Sequence, residues 1–188
     1  TNAMESWTWP GCEGRPAEVE VYARAACAAL VLNGKEVARK TAKNDCRFRF
    51  RCTYQPGTLE AVVYNAAGQE TGRCALPTAG SETELRAEPE EAAVHPGQLC
   101  YIRLRYTDAG GVLKPTVNEP IRVQVAGGRL LALGNACPFN LRGYHTTETD
   151  PYWGEAMAIV EAGTEGCVTL QADSAVGSAV AAVQVHKE

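Results

Sequence analysis

No apolar run in this 188-residue chain approaches the roughly 18 residues that a helical membrane crossing needs. Basic runs are missing too. The formal charge is −4 and the pI near 5.5, so neither nucleic acid nor a membrane surface is an expected partner. There is no G-x-S-x-G, no Cys-His nucleophile signature and no phosphate loop, since Gly127-Gly128 sits in a β-turn context. No secretory signal is visible. Thr1-Asn2-Ala3-Met4 reads as a cloning scar, so the chain is expected to be a fragment whose native N-terminus lies upstream. The composition, 45% hydrophobic and 21% charged, is that of an ordinary globular protein long enough for one large or two small domains.

Paired short cysteine spacings are also lacking, although the chain has 8 cysteines. Zinc sites want C-x-x-C pairs, and Cys12, Cys27, Cys46, Cys52, Cys74, Cys100, Cys137 and Cys167 form none, so no metal or other cofactor is expected. Most sit inside alternating patterns, as in Phe48-Arg49-Phe50-Arg51-Cys52 and Cys100-Tyr101-Ile102-Arg103-Leu104. There a free thiol acts as a small buried hydrophobe. Free core thiols in turn point to a reducing compartment, the cytoplasm.

What is present is period-two alternation broken by turns. Asn33-Gly34 between Ala28–Leu32 and Lys35–Arg39 predicts a hairpin, because a type I′ turn needs positive φ at both central residues. Further strands are predicted over Ala17–Arg24, Arg47–Tyr54, Leu59–Asn65 and Glu70–Leu76, with Lys40–Asp45 as a polar turn. In Arg47–Tyr54 the aromatic and cysteine side chains alternate with three arginines, which read as a solvated face rather than an anion site. Pro77–Ser81 reads as a linker. Beyond it, strands are predicted over Glu82–Glu88, Leu99–Thr107, Ile121–Val125, Arg129–Leu133, Ala156–Glu161, Cys167–Ala172 and Ser178–His186. No helical period is convincing. The expected fold is all-β: two tandem immunoglobulin-like β-sandwich domains, over residues 5–80 and 81–188.

One segment breaks the pattern. Gly134–Gly154, GNACPFNLRGYHTTETDPYWG, is long for a strandless connection and marks a functional loop or an interface. It carries Phe139, Tyr144, His145, Glu148, Asp150, Tyr152 and Trp153. The histidine and carboxylates lack both a second histidine at metal spacing and a paired nucleophile, so they read as a polar surface loop. Tyr144, Tyr152 and Trp153 are candidates either for stacking on a sugar ring or for packing on a neighbouring domain. Trp7 and Trp9, one residue apart on an extended segment and so on one face, face the same choice.

Several of these motifs occur in an order that resembles the C-terminal accessory region of glycoside hydrolase family two, the β-galactosidase-like enzymes. Trp7-Thr8-Trp9-Pro10-Gly11 resembles the tryptophan-rich segment that follows the catalytic barrel, with Ser6 where many members have histidine. Glu18-Val19-Glu20-Val21-Tyr22 followed by Leu32-Asn33-Gly34-Lys35 is similar to the family's valine-rich strand and hairpin. Tyr54-Gln55-Pro56-Gly57-Thr58-Leu59 and Thr78-Ala79-Gly80 match two later landmarks. In the second half Cys100-Tyr101-Ile102, Asp108, Pro115-Thr116 and Leu133-Gly134-Asn135 resemble the following domain. There Ala136-Cys137 stands where members often have glycine-aspartate.

The resemblance implies a retaining glycosidase as the parent, with two carboxyls about 5 Å apart on a (β/α)₈ barrel. A barrel of about 250 residues does not fit this chain, so no catalytic residue is assigned within it. The implied role is a non-catalytic tail that packs on the upstream barrel and sandwich domains, or at a subunit interface of a homo-oligomer. Carbohydrate binding by the aromatic loop is the alternative.

Overall fold

The computed structural model describes residues 3–43, 46–164 and 166–186. The chain divides into two compact units, Thr1–Ala79 and Gly80–Glu188. Both are all-β, and no helix occurs among the described residues. Each is an immunoglobulin-like sandwich of mainly antiparallel sheets.

The first unit contains β1 (Pro16–Tyr22), β2 (Cys27–Leu32), β3 (Lys35–Thr41), β4 (Arg47–Thr53), β5 (Thr58–Tyr64) and β6 (Glu70–Pro77). β1 pairs with β4, and the facing sheet runs β3-β2-β5-β6. The Asn-Gly hairpin forms as expected, with φ of 50° at Asn33 and 78° at Gly34. Asn33 does more than turn the chain: its Oδ1 accepts from Thr58 N (2.8 Å) and its Nδ2 donates to Pro56 O (3.0 Å). Alternation in β4 sends Phe48 and Phe50 inward, where they pack with Leu30, Leu32 and Leu59. Burying a side chain such as Phe50 (1% exposed) contributes about 1.5–3 kcal/mol.

The opposite face of β4 is an ion ladder. Register places Arg49 beside Glu20 and Arg51 beside Glu18, with N–O distances of 2.8 Å in both pairs. Exposed pairs of this kind add little stability; they keep the face wet. In the facing sheet, Ala29 and Val62 are buried although they lie outside the core cluster. They are flanked in register by Arg39 and Arg73, whose long stems suit such cover.

The second unit contains β7 (Glu84–Pro89), β8 (Ala93–Val94), β9 (Leu99–Thr107), β10 (Ile121–Ala126), β11 (Gly128–Gly134), β12 (Glu148–Thr149), β13 (Glu155–Ala162), β14 (Gly166–Ser174) and β15 (Gly177–Val185). One sheet runs β12-β10-β14-β15-β8 and the other β11-β13-β9-β7. The core between them is built by Ile102, Leu104 and Tyr106 of β9, Val160 of β13, and Val168 and Leu170 of β14.

Several sequence expectations need correction. The first strand stops at Tyr22 rather than Arg24, and Lys40 and Thr41 belong to β3 rather than to a turn. Ala42 and Lys43 are irregular, and Asn44 and Asp45 of that expected turn lie outside the described residues, as do Thr1 and Asn2 of the expected scar. β8 and β12 were not predicted, because two-residue strands show no alternation. The cysteines are free, but they are not uniformly core residues: Cys100 is buried, whereas Cys46 and Cys74 are exposed. Alternation assigns a residue to a face, and only packing decides which face is covered.

Candidate functional site

The 134–154 segment leaves β11 at Gly134 and is pinned to the sandwich at several points. Leu133 N donates to Tyr144 O (2.8 Å) and Val123 N to Thr147 O (2.8 Å). His145 Nδ1 lies 3.1 Å from Leu131 O, so the histidine bonds locally. Asn135 forms an Asx turn, accepting from Cys137 N at 2.8 Å, while its Nδ2 donates to Asp150 O at 2.6 Å. Asn140 does the same across the tip, accepting from Arg142 N and donating to Gly143 O.

Arg142 closes the loop. Its Nε donates to Asp150 Oδ2 (2.8 Å) and its Nη1 to Glu148 Oε1 (2.6 Å), and the other Glu148 oxygen takes Arg122 Nη2 at 2.6 Å. A guanidinium beside a carboxylate favours its charged form. Accordingly the Glu148 carboxyl is held below the ordinary range, first by the Arg122 hydrogen bond and then by the charges of Arg122 and Arg142. A glycosidase acid needs the opposite shift. No group of His, Cys, Asp and Glu suited to a metal occurs among the described residues.

Beside its exposed charged residues the loop presents large hydrophobic side chains outward. Phe139 is 82% exposed, Leu141 99% and Tyr144 50%. The Tyr144 ring rests on Gly134: a Cβ there would come within 2.3 Å of Tyr144 Cδ1. Only glycine admits the ring so close to the backbone.

Trp153 sits at the apex of a two-residue turn. Tyr152 N donates to Glu155 O (2.8 Å) and Glu155 N returns to Tyr152 O (3.3 Å). φ is positive at both central residues, 55° at Trp153 and 76° at Gly154. This is the same left-handed pair as Asn33-Gly34, but with a tryptophan in the first place. Such a conformation costs a bulky L-residue roughly 1–2 kcal/mol. The turn has no room to relax, because a Cβ on Gly154 would stand 2.6 Å from Lys114 O and Tyr106 N donates to Gly154 O at 2.9 Å. The Trp153 ring is 40% exposed and lies tilted 5.7 Å from the half-buried Tyr152 ring.

The two tryptophans named from the sequence, Trp7 and Trp9, belong to the first unit. Trp7 is 3% exposed; its ring meets Tyr54 edge-on at 4.9 Å and its Nε1 donates to Gln55 O. Trp7 is therefore packed within its own unit, with almost none of its surface exposed. Trp9 is half-buried against the same core, with its backbone N–H donated to Tyr54 Oη (3.0 Å) and Nε1 to Ser6 O (3.2 Å). The shared face expected from their spacing is real, but it turns inward.

Sequence reasoning named Tyr144, Tyr152 and Trp153 but missed Arg142, Arg122 and Leu141. The signal for Arg142 was a lone arginine in a loop holding two carboxylates. Nothing in the sequence marks Leu141 as exposed.

Comparison with known proteins gives a consistent neighbourhood. Residues 84–183 match the family described as glycoside hydrolase family 2 C-terminal domain 5, and residues 14–72 match a domain of unknown function, DUF4982. No curated protein matches the chain. In fold the chain is similar to a glycosyl hydrolase family 2 member from Bacteroides cellulosilyticus, with a TM-score of 0.89 and 24% identity over 98% of this chain and 24% of that one. A β-glycosidase from Bacteroides vulgatus gives 0.83 at 21% identity, over 96% of this chain and 24% of that one. A glycoside hydrolase family 2 β-glucuronidase gives 0.80 at 17%, over 96% and 19%. The chain thus spans about a quarter or less of the length of these structures.

Proposed function

Because the chain belongs to the glycoside hydrolase family 2 C-terminal domain 5 family, we propose that it is the non-catalytic accessory part of a larger, β-galactosidase-like retaining glycosidase. In this reading it packs on the catalytic barrel or a subunit interface and stabilises it. The observation that carries the proposal is the loop tip. Phe139 and Leu141 expose nearly whole apolar side chains, while the polar side chains around them are consumed by one another. Apolar surface on a rigid support is what an interface uses. The bridging of Glu148 and Asp150 by Arg142 supports a non-catalytic role for them. A reducing, cytoplasmic setting for the parent belongs to the same proposal and is supported by the free cysteines.

The test is a Phe139→Ser, Leu141→Ser double variant of the full-length parent. Its thermal inactivation midpoint is expected to fall by several degrees while kcat/KM on an aryl glycoside at low temperature is unchanged. An unaltered midpoint refutes packing through this loop. One observation favours a second reading, carbohydrate binding: the Tyr144 ring packs against Gly134 while the residue stays half-exposed. Retention of the chain on immobilised polysaccharide, lost in Tyr144→Ala, would support it.

A further inference from the structure

The sheet β11-β13-β9-β7 turns two tyrosines to the same outer face. In β9, Tyr101 alternates with the buried Cys100 and Ile102, so it points away from the core and is 40% exposed. In β13 the same alternation sends Met157 and Ile159 outward, between the buried Ala156, Ala158 and Val160. Register sets Tyr101 opposite Ile159 and Gly134 opposite Met157, and residues directly opposite in a strand pair share a face. The Cβ direction of Gly134 is therefore the outer one, and the Tyr144 ring occupies it. Tyr101 from a strand and Tyr144 from the loop thus stand on one face, with Met157 and Ile159 between them. Both are held in place. Tyr144 is set by the bare Gly134 backbone and by the Leu133 N–Tyr144 O bond, and Tyr101 lies on a strand paired on both sides. Two strand spacings and one two-residue step separate Gly134 from Tyr101, roughly 12 Å. Among the described residues neither tyrosine hydroxyl takes part in a hydrogen bond.

We propose that this sheet face binds an uncharged oligosaccharide, with Tyr101 and Tyr144 as two platforms under one glycan strand. The site rests on the carbohydrate-binding reading and moves its centre from the loop to the sheet. A tyrosine offers an apolar ring and a polar tip together, which suits a pyranose with its C–H face and its hydroxyls. The charge of the face selects a neutral ligand. Its arginines already have carboxylate partners: Arg103 with Glu90 at 3.2 Å, Arg105 with Glu155 at 3.0 Å and Glu88 at 3.3 Å, and Arg129 with Glu161 at 2.8 Å. An anionic glycan meets at least as much negative as positive charge there. The same pairs disfavour a protein partner, because a protein laid across the sheet buries them at a desolvation cost. A single glycan strand along the line of the two tyrosines leaves them in water. The ring separation also sets the ligand's length, since a short oligosaccharide spans it and a monosaccharide does not.

The test is titration calorimetry of the 188-residue chain with β-linked galactotetraose and cellotetraose, and with galactose and glucose beside them. At least one tetrasaccharide is expected to bind, about tenfold or more tighter than its monosaccharide, because only the longer ligand reaches both rings. Tyr144→Ala and Tyr101→Thr, the latter keeping a strand-forming residue in β9, should each remove that advantage. Chemical-shift mapping of the wild-type chain needs no variant, and the largest shifts are expected at Tyr101, Met157 and Ile159. Shifts confined to the 134–154 loop, or tetrasaccharide binding that Tyr144→Ala weakens and Tyr101→Thr does not, overturn the sheet-face site and leave carbohydrate binding by the loop standing. Tighter binding of tetragalacturonate than of either neutral tetrasaccharide overturns the choice of an uncharged ligand. Absence of binding by both neutral tetrasaccharides at millimolar concentration removes the carbohydrate-binding reading itself. If Tyr101→Thr instead lowers the thermal inactivation midpoint of the full-length parent while glycan affinity is unchanged, the face packs on protein and the proposal is overturned.

Discussion

Asp108 offers the sharpest test of how the second unit is held. Its carboxylate is 8% exposed; Oδ2 accepts from Gly80 N at 2.7 Å and Oδ1 from Val112 N at 2.8 Å. The Lys114 ammonium secures the same segment by donating to the carbonyls of Gly80, Ser81 and Glu82 and to Thr83 Oγ1, at 2.8–3.1 Å. In Asp108→Asn one oxygen becomes a donor facing a backbone N–H. Hydrogen bonds to a charged group are worth about 1.5–3 kcal/mol each, and solvent near the surface screens the sum. A loss of about 2 kcal/mol is therefore expected at pH 7, or roughly 8 °C in a unit of this size.

The pH dependence has a definite sign. The Asp108 carboxyl is held below its ordinary value, first by the Gly80 and Val112 N–H groups, with Lys114 adding a smaller push. Its contribution is therefore complete above the unfolded pKa of about 3.9 and is lost as pH falls through the folded value. Urea midpoints, read from hydrogen exchange in β9 and β14 peptides between pH 7 and pH 3, should show the gap between variant and wild type closing at acid pH. A gap that stays constant over that range, or a variant as stable as wild type at pH 7, would refute the reasoning.

Two further outcomes follow from packing. Phe50→Ala removes a side chain that is 1% exposed in the smaller core, and should cost about 3–5 kcal/mol; differential scanning calorimetry should show the loss in the first unit, with the second unit's transition retained. Gly134→Ala places a methyl group 2.3 Å from the Tyr144 ring and should displace it, at about 1–3 kcal/mol; faster tryptic cleavage after Arg142 is the expected readout, and an unchanged rate would contradict the stacking.

Legibility from sequence differed by kind of feature. β9 was predicted residue for residue, because Leu99–Thr107 alternates cleanly and one face is core. The Asn33-Gly34 turn was equally plain, since few residue pairs adopt two positive φ angles. The turn at Trp153-Gly154 has the same backbone but was invisible, because tryptophan is not a turn residue and the strain is tolerated only through Tyr106 and Lys114, both distant in sequence. Trp7 failed in the opposite way. It reads in the sequence as a candidate for stacking on a sugar or packing on a neighbouring domain, but Tyr54 and Gln55, distant in the first unit's sequence, cover it.

The sequence by itself determined the class of fold, most strand bounds to within about two residues and the Asn33-Gly34 turn, because alternation and φ preference are local properties of the chain. Only the tertiary structure decided which aromatics are core and which are surface, that Arg142 neutralises the loop carboxylates, and that Trp153 is strained. Each of those depends on side chains brought together from separate strands, and local pattern carries no information about which partner arrives.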